Sequence, residues 1–197
     1  MKPLDPQRAY ALEQMAPYFG GGLGRIADLA GEGLPFPDQE SLPPRMVEVA
    51  LPAWSVPAGG RASILVPGHR VLPGEGNPWA RTDWLGCVFW YLAGVAEREH
   101  ERIHGPIHSY SYRLRGWDGR IWDEPWVNQI AYFLRRWAAR KEAVDERSLF
   151  GPPPEPSVHL THDVDAVEKT AALRFKQGAF LGLGALREAL SLKPGRA

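Results

Sequence analysis

The sequence predicts an α/β fold: a small mixed sheet with about three helices, followed by one β–α unit of a second domain. Three features carry this expectation. Apolar residues alternate at Val47, Val49 and Leu51 and run together from Ala62 to Val66, as strands require. Two stretches, Trp84 to Val95 and Trp126 to Trp137, carry apolar residues at helical spacing. A proline-rich run, Gly151-Pro152-Pro153-Pro154-Glu155-Pro156, then interrupts the chain and is stiff and extended by composition. The expected organisation is a domain over 1–150, a spacer over 151–157 and the start of a further domain over 158–197.

Asp5-Pro6 reads as a helix start, a capping carboxylate followed by proline at the first helical position. Tyr10, Leu12, Met15 and Tyr18 give its apolar stripe, and Gly20-Gly21-Gly22 is expected to end it. Residues 23–45 are broken up by Gly and Pro and read as irregular, with room for one short strand. The strand through Val47 and Val49 is cut short by Pro52, which suits an edge. A Pro/Gly-rich loop over 67–81 leads to Thr82 and Asp83, either of which can cap a helix that continues into the polar Glu97–Arg102 and stops at Gly105-Pro106. Ser109 to Leu114 reads as a short strand and Gly116–Gly119 as a tight turn. Asp123-Glu124-Pro125 opens the next helix, whose last turns are rich in Arg135, Arg136, Arg140 and Lys141, as the helix dipole favours. After Val158-His159-Leu160, a strand, a helix-like stretch spans about 166–193.

Composition narrows the function classes. The 197 residues include 23 Lys+Arg and 23 Asp+Glu, so the net charge is zero, against a nucleic-acid binder held by phosphate contacts. No apolar run approaches the ~20 residues of a membrane-spanning helix, and the first residues lack the apolar core of a signal peptide. The single cysteine, Cys87, makes no internal disulfide. A cytoplasmic protein without a transmembrane segment is the expectation.

Two motifs and one group of aromatics can carry chemistry. Thr161-His162-Asp163-Val164-Asp165 stands at the carboxyl end of a strand, where chemistry gathers in parallel sheets. Asp163 and Asp165 are two residues apart, so continued strand geometry turns both to one side. There they could hold a divalent metal, or one could hold metal while the other takes a proton. The plainer reading is an Asp capping the next helix. His100-Glu101-Arg102-Ile103-His104 fits H-E-x-x-H, in which two histidines one turn apart bind zinc and the Glu activates water. The plainer reading here is a solvated helix tail at the negative end of the dipole. Among the 8 tryptophans, Trp79, Trp117 and Trp122 are the freer ones, and with Asp118 and Asp123 the latter two could stack on a sugar; the plainer reading is packing.

The string His159-Leu160-Thr161-His162-Asp163-Val164-Asp165 resembles the first motif of the polysaccharide deacetylase family, in the branch with THDVD in place of TFDDG and an uncharacterised N-terminal domain. The helices TDWLGCVFWYLAGVAERE and EPWVNQIAYFLRRW ahead of the proline run are similar in pattern to that domain. The resemblance implies a (β/α)-barrel-like catalytic domain and a divalent metal, commonly zinc, used to hydrolyse N-acetyl groups on a saccharide. It makes Asp163 the general base and leaves the metal role to Asp165 or His162, because Val164 occupies the position that directly follows the base. The family takes further ligands from a later His-x-x-x-His. This chain has no histidine after His162 and runs only 32 residues past Asp165, while His100 and His104, with that spacing, lie upstream. The resemblance therefore implies an N-terminal portion plus an incomplete deacetylase-like domain, inactive alone. The alternatives are a non-catalytic accessory module, with self-association through residues 166–193, and a small zinc metallopeptidase built on His100 and His104.

Overall fold

A computed structural model describes residues 4–30, 43–107, 114, 116–155, 175–176 and 178–183. The chain divides into two units, Met1–Glu155 and Pro156–Ala197. Helix and strand are mixed, with helix dominating the first unit: α1 (Pro6–Gln14), α2 (Ala16–Phe19), α3 (Leu23–Ala30), β1 (Met46–Ala50), β2 (Ser63–Pro67), α4 (Trp84–Leu92), α5 (Val95–His104), α6 (Trp126–Lys141) and α7 (Glu146–Phe150).

Asp5 caps α1 as its sequence suggests, its Oδ1 accepting from the backbone N–H of Gln7 and Arg8 at 3.1 Å each. The glycine triplet does not stop the helical run. Gly20–Gly22 forms a 3₁₀ turn, and α3 begins at Leu23 with Ile26, Ala27 and Ala30 buried. This corrects the irregular reading of residues 23–30; residues 31–42 lie outside the described residues. The reason is tertiary. A Cβ on Gly22 would lie 2.5 Å from the Phe150 ring, so the glycine is a seat for α7 rather than a terminator.

β1 and β2 pair antiparallel, with Val49 opposite Ile64 and Glu48 opposite Leu65. Among the described residues these two strands form the whole sheet, an antiparallel pair. The strand expected over 109–114 falls, apart from Leu114, outside the described residues, as do the strand at 158–160 and most of the stretch 166–193. β2 is buried along Ile64, Leu65, Val66 and Pro67, whereas β1 buries Val49 alone. The hydroxyl of Tyr91 donates to the carbonyl of Leu65 at 2.8 Å and fills the outer edge of β2.

The core forms around α4. Trp84, Leu85, Cys87, Val88 and Trp90 are all buried, and a helix apolar on every side belongs inside. α1, α5 and α6 pack on it. The single helix expected from Trp84 to Arg102 is two. Gly94 adopts a left-handed conformation (φ 57°), its N–H bonding to the carbonyl of Tyr91, and α5 leaves in a new direction. α6 forms where expected and buries Trp126, Ile130, Phe133 and Leu134, while Val127 and Trp137 are half-buried and Arg135 is buried with the apolar side. Trp54, Trp79, Trp84 and Trp137 surround Phe133 with ring centroids 5.0–6.4 Å away, mostly tilted or edge-on as ring quadrupoles prefer. The three expected helices thus become seven among the described residues, four of them short pieces in the N-terminal run and after α6. Among the described residues no helix is long and apolar enough to cross a membrane.

Candidate functional sites

His162, Asp163 and Asp165 lie outside the described residues, and the structure describes no contact of theirs. The sites that can be built from side chains are in the first unit.

α5 ends in Glu97-Arg98-Glu99-His100-Glu101-Arg102-Ile103-His104, stopped by Gly105 at φ 85°. The rings of His100 and His104 lie side by side, centroids 4.6 Å apart and tilted by 44°. Glu101 is turned to the helix end, its Oε1 accepting from the backbone N–H of Ile107 at 2.9 Å. A peptidase would need that carboxylate beside the histidine pair to take a proton from water; here it closes the helix terminus. Among the described residues no three His, Cys, Asp or Glu side chains converge as a ready metal cage.

Trp117 precedes the 3₁₀ turn Gly119–Trp122 and Trp122 ends it. Asp118 caps that turn, accepting from the N–H of Arg120 at 3.1 Å. The Arg120 guanidinium holds the Asp118 carboxyl below the usual carboxylate range and also reaches Glu48 on β1. Trp122 is exposed and donates its indole N–H to Glu97 at 2.7 Å, joining the turn to α5. Trp117 packs half-buried against the core. The two rings therefore differ: Trp122 offers an exposed face, while Trp117 serves packing. No family model, curated protein or solved structure matches the chain.

Charge is buried in the core at Arg8, Arg70, Asp83 and Arg135, which residue type alone does not announce. Asp83, fully buried, caps α4 by accepting from Gly86 N–H at 2.9 Å. It also accepts from Arg8 Nη2 at 2.5 Å and Arg70 Nη1 at 3.3 Å. Burial works against the charge on Arg8, yet Asp83 and Asp5 outweigh it and hold the guanidinium above its ordinary range. The cluster pairs two cations with two carboxylates, Asp5 and Asp83, and fixes α1, α4 and the Gly68–Arg70 turn together. Cys87 lies one turn beyond. Its burial, reinforced by the Asp83 charge, pushes the thiol well up, so it is an inert packing group.

A second guanidinium, Arg135, is buried on α6. It donates to the carbonyls of Tyr18 and Gly151, the latter at 2.7 Å, and to Glu146 at 2.7 Å, with Phe150 beneath it. A cleft of about 190 Å³ opens between the hairpin and α6, walled by Leu51, Ile64, Tyr132 and Phe133 and flanked by Arg61 and Arg136. Both arginines are engaged, Arg61 with Glu124 at 2.6 Å and Arg136 with the Ser55 carbonyl at 2.8 Å, so the cleft presents an apolar surface with its charges already paired.

Proposed function

We propose that the chain is a carbohydrate-deacetylase-family protein, with residues 1–150 as an accessory domain and residues 158–197 belonging to a deacetylase-like domain. The observation that carries the reading is the motif Thr161-His162-Asp163-Val164-Asp165 after the strand-like Val158-His159-Leu160. It is supported by the division between Glu155 and Pro156, just ahead of that segment. Asp163 takes the proton from the attacking water, and Asp165 or His162 supplies a donor of the oxygen or imidazole class that zinc accepts. The divalent cation, when bound, polarises the N-acetyl carbonyl and stabilises the charge that develops on it. The exposed ring of Trp122 is the part of the first unit best suited to stack on a saccharide. The reading includes a reducing, cytoplasmic compartment, in keeping with Cys87 as a buried free thiol.

The test reads the gene past codon 197 and assays the longest product. The expected result is further strand–helix units with a His-x-x-x-His, and acetate release from N-acetylated oligosaccharides that Asp163→Asn abolishes. Acetate release untouched by Asp163→Asn, or no such units downstream, sinks the reading.

One observation favours a second reading, a non-catalytic module that self-associates. Phe175, Phe180, Leu181 and Leu183 in the second unit are 67–81 % exposed, a density of bare apolar surface that favours burial against another surface. Sedimentation of the whole chain and of Phe175→Ser/Phe180→Ser decides: association that the pair of substitutions removes supports the module, and a monomer in both rejects it.

A further inference from the structure

The end of α5 carries a surface feature independent of the deacetylase reading. At about 100° per residue, Glu97, His100, Glu101 and His104 fall within roughly a 100° arc of the helix, while the cations Arg98 and Arg102 fall outside it. Arg102 is paired away with Glu99 at 2.7 Å. The two imidazoles already stand 4.6 Å apart between ring centroids, the separation that lets one ion bridge nitrogens at ~2.0–2.1 Å from each. They occupy the last turns before Gly105, where the helix dipole is negative and a cation is favoured. Glu97 and Glu101 add negative charge to the same arc even though each has one oxygen engaged, with Trp122 and Ile107 respectively.

We propose that His100 and His104 form a two-histidine site for a single divalent transition-metal ion at the C-terminal end of α5. Imidazole donors select the later first-row metals over Mg(II) and Ca(II), and affinity rises from Co(II) to Ni(II) and Cu(II). Solvent completes the coordination, so the site is open and exchangeable. Its effect is structural: the ion cross-links successive turns of the helix end, next to the Glu101–Ile107 hydrogen bond that closes it. It is not a hydrolytic centre, because the carboxylate that would serve as its base is committed to that closure.

The test titrates Zn(II) and Co(II) into the whole chain by calorimetry and by the visible absorption of cobalt, alongside His100→Gln, His104→Gln and the double variant Asp163→Asn/Asp165→Asn. Far-UV circular dichroism checks that each variant keeps its helix. The expected result is one equivalent bound, weakened at least tenfold by either histidine substitution, unchanged by the double aspartate variant and absent with Mg(II). Metal binding that survives both histidine substitutions, or is lost only in the aspartate variant, overturns the proposal, as does the absence of binding by the unmodified chain. The aspartate arm separates this site from the deacetylase reading, so either can fail without the other.

Discussion

Replacing Arg135 with methionine tests whether a buried charge organises the first unit. The change keeps most of the side-chain volume in a 1 % exposed position and removes every donor. Three acceptors then lose a bond, the carbonyls of Tyr18 and Gly151 and the carboxylate of Glu146, of which Glu146 keeps Arg136 at 3.6 Å. Glu146 is 30 % exposed and recovers water, so its share is discounted to under about 1 kcal/mol. The two carbonyls lose charge-assisted bonds, and each left unsatisfied costs about 1–3 kcal/mol. The expected loss is ~3–5 kcal/mol, or about 10 °C in Tm for a chain of this size. Urea unfolding followed by circular dichroism measures it, with the m-value unchanged if only the folded state is affected. Arg135→Lys should recover less than half, because one ammonium cannot reach three acceptors set at the corners of a planar fork. A loss below 1 kcal/mol for the methionine variant would refute the reasoning and make Arg135 an incidental buried cation.

Three further outcomes follow from the same contacts. Gly22→Ala forces a methyl into the Phe150 ring and should cost about 1–3 kcal/mol by overpacking, read from the same urea curves; Gly21→Ala, with open space around it, is the control that should stay near zero. The Cys87 thiol should resist a thiol reagent at pH 8 in the folded chain and react at once in 6 M guanidinium; fast native labelling would mean the core around α4 opens. Acid should weaken the fold. Burial raises the Asp5 carboxyl, but bonds from Arg8 outweigh this and set it below 3.8, and Arg120 does the same for Asp118. Both therefore contribute stability that is present above pH ~4 and lost as pH falls through their lowered values. Melting curves between pH 6 and pH 2 should show this decline, and Asp5→Asn should flatten it.

How legible these features are in the sequence depends on what sets them. The caps at Asp5 and Asp83, the hairpin strands and the buried face of α6 follow from local pattern, and local pattern reveals them. α3 is hidden because a glycine triplet ordinarily ends a helix, and only Phe150, far along the chain, explains why this one does not. The break at Gly94 is hidden because a lone glycine is tolerated inside a helical pattern, and Leu92 and Val95 keep helical spacing across it. Arg135 reads as one of several cations suited to a helix C-terminus, yet it interrupts an apolar stripe at Ala131, Leu134 and Ala138, and that interruption is the available sign of its burial. The partners of Asp83 are 13 and 75 residues away, and nothing in residue type joins them. For the segment Thr161–Asp165 the reverse holds: its residue types are informative, while His162, Asp163 and Asp165 lie outside the described residues.

The bond from Arg135 to the carbonyl of Tyr18 spans 117 residues of chain. Read as a timetable, this separation governs how the protein is made. A ribosome adding roughly 5–20 residues per second needs about 6–23 s to proceed from Tyr18 to Arg135. During that interval Ala11, Met15, Phe19 and Ile26, all fully sheltered in the finished unit, lack α4 until residues 84–92 are made and lack α6 until its end. The N-terminal helices therefore spend their first seconds as an apolar surface awaiting its lid, and a chaperone that shields nascent chains has its natural substrate there. Slow codons between Tyr18 and Arg135 would lengthen that exposure, and slow codons after α7 would not.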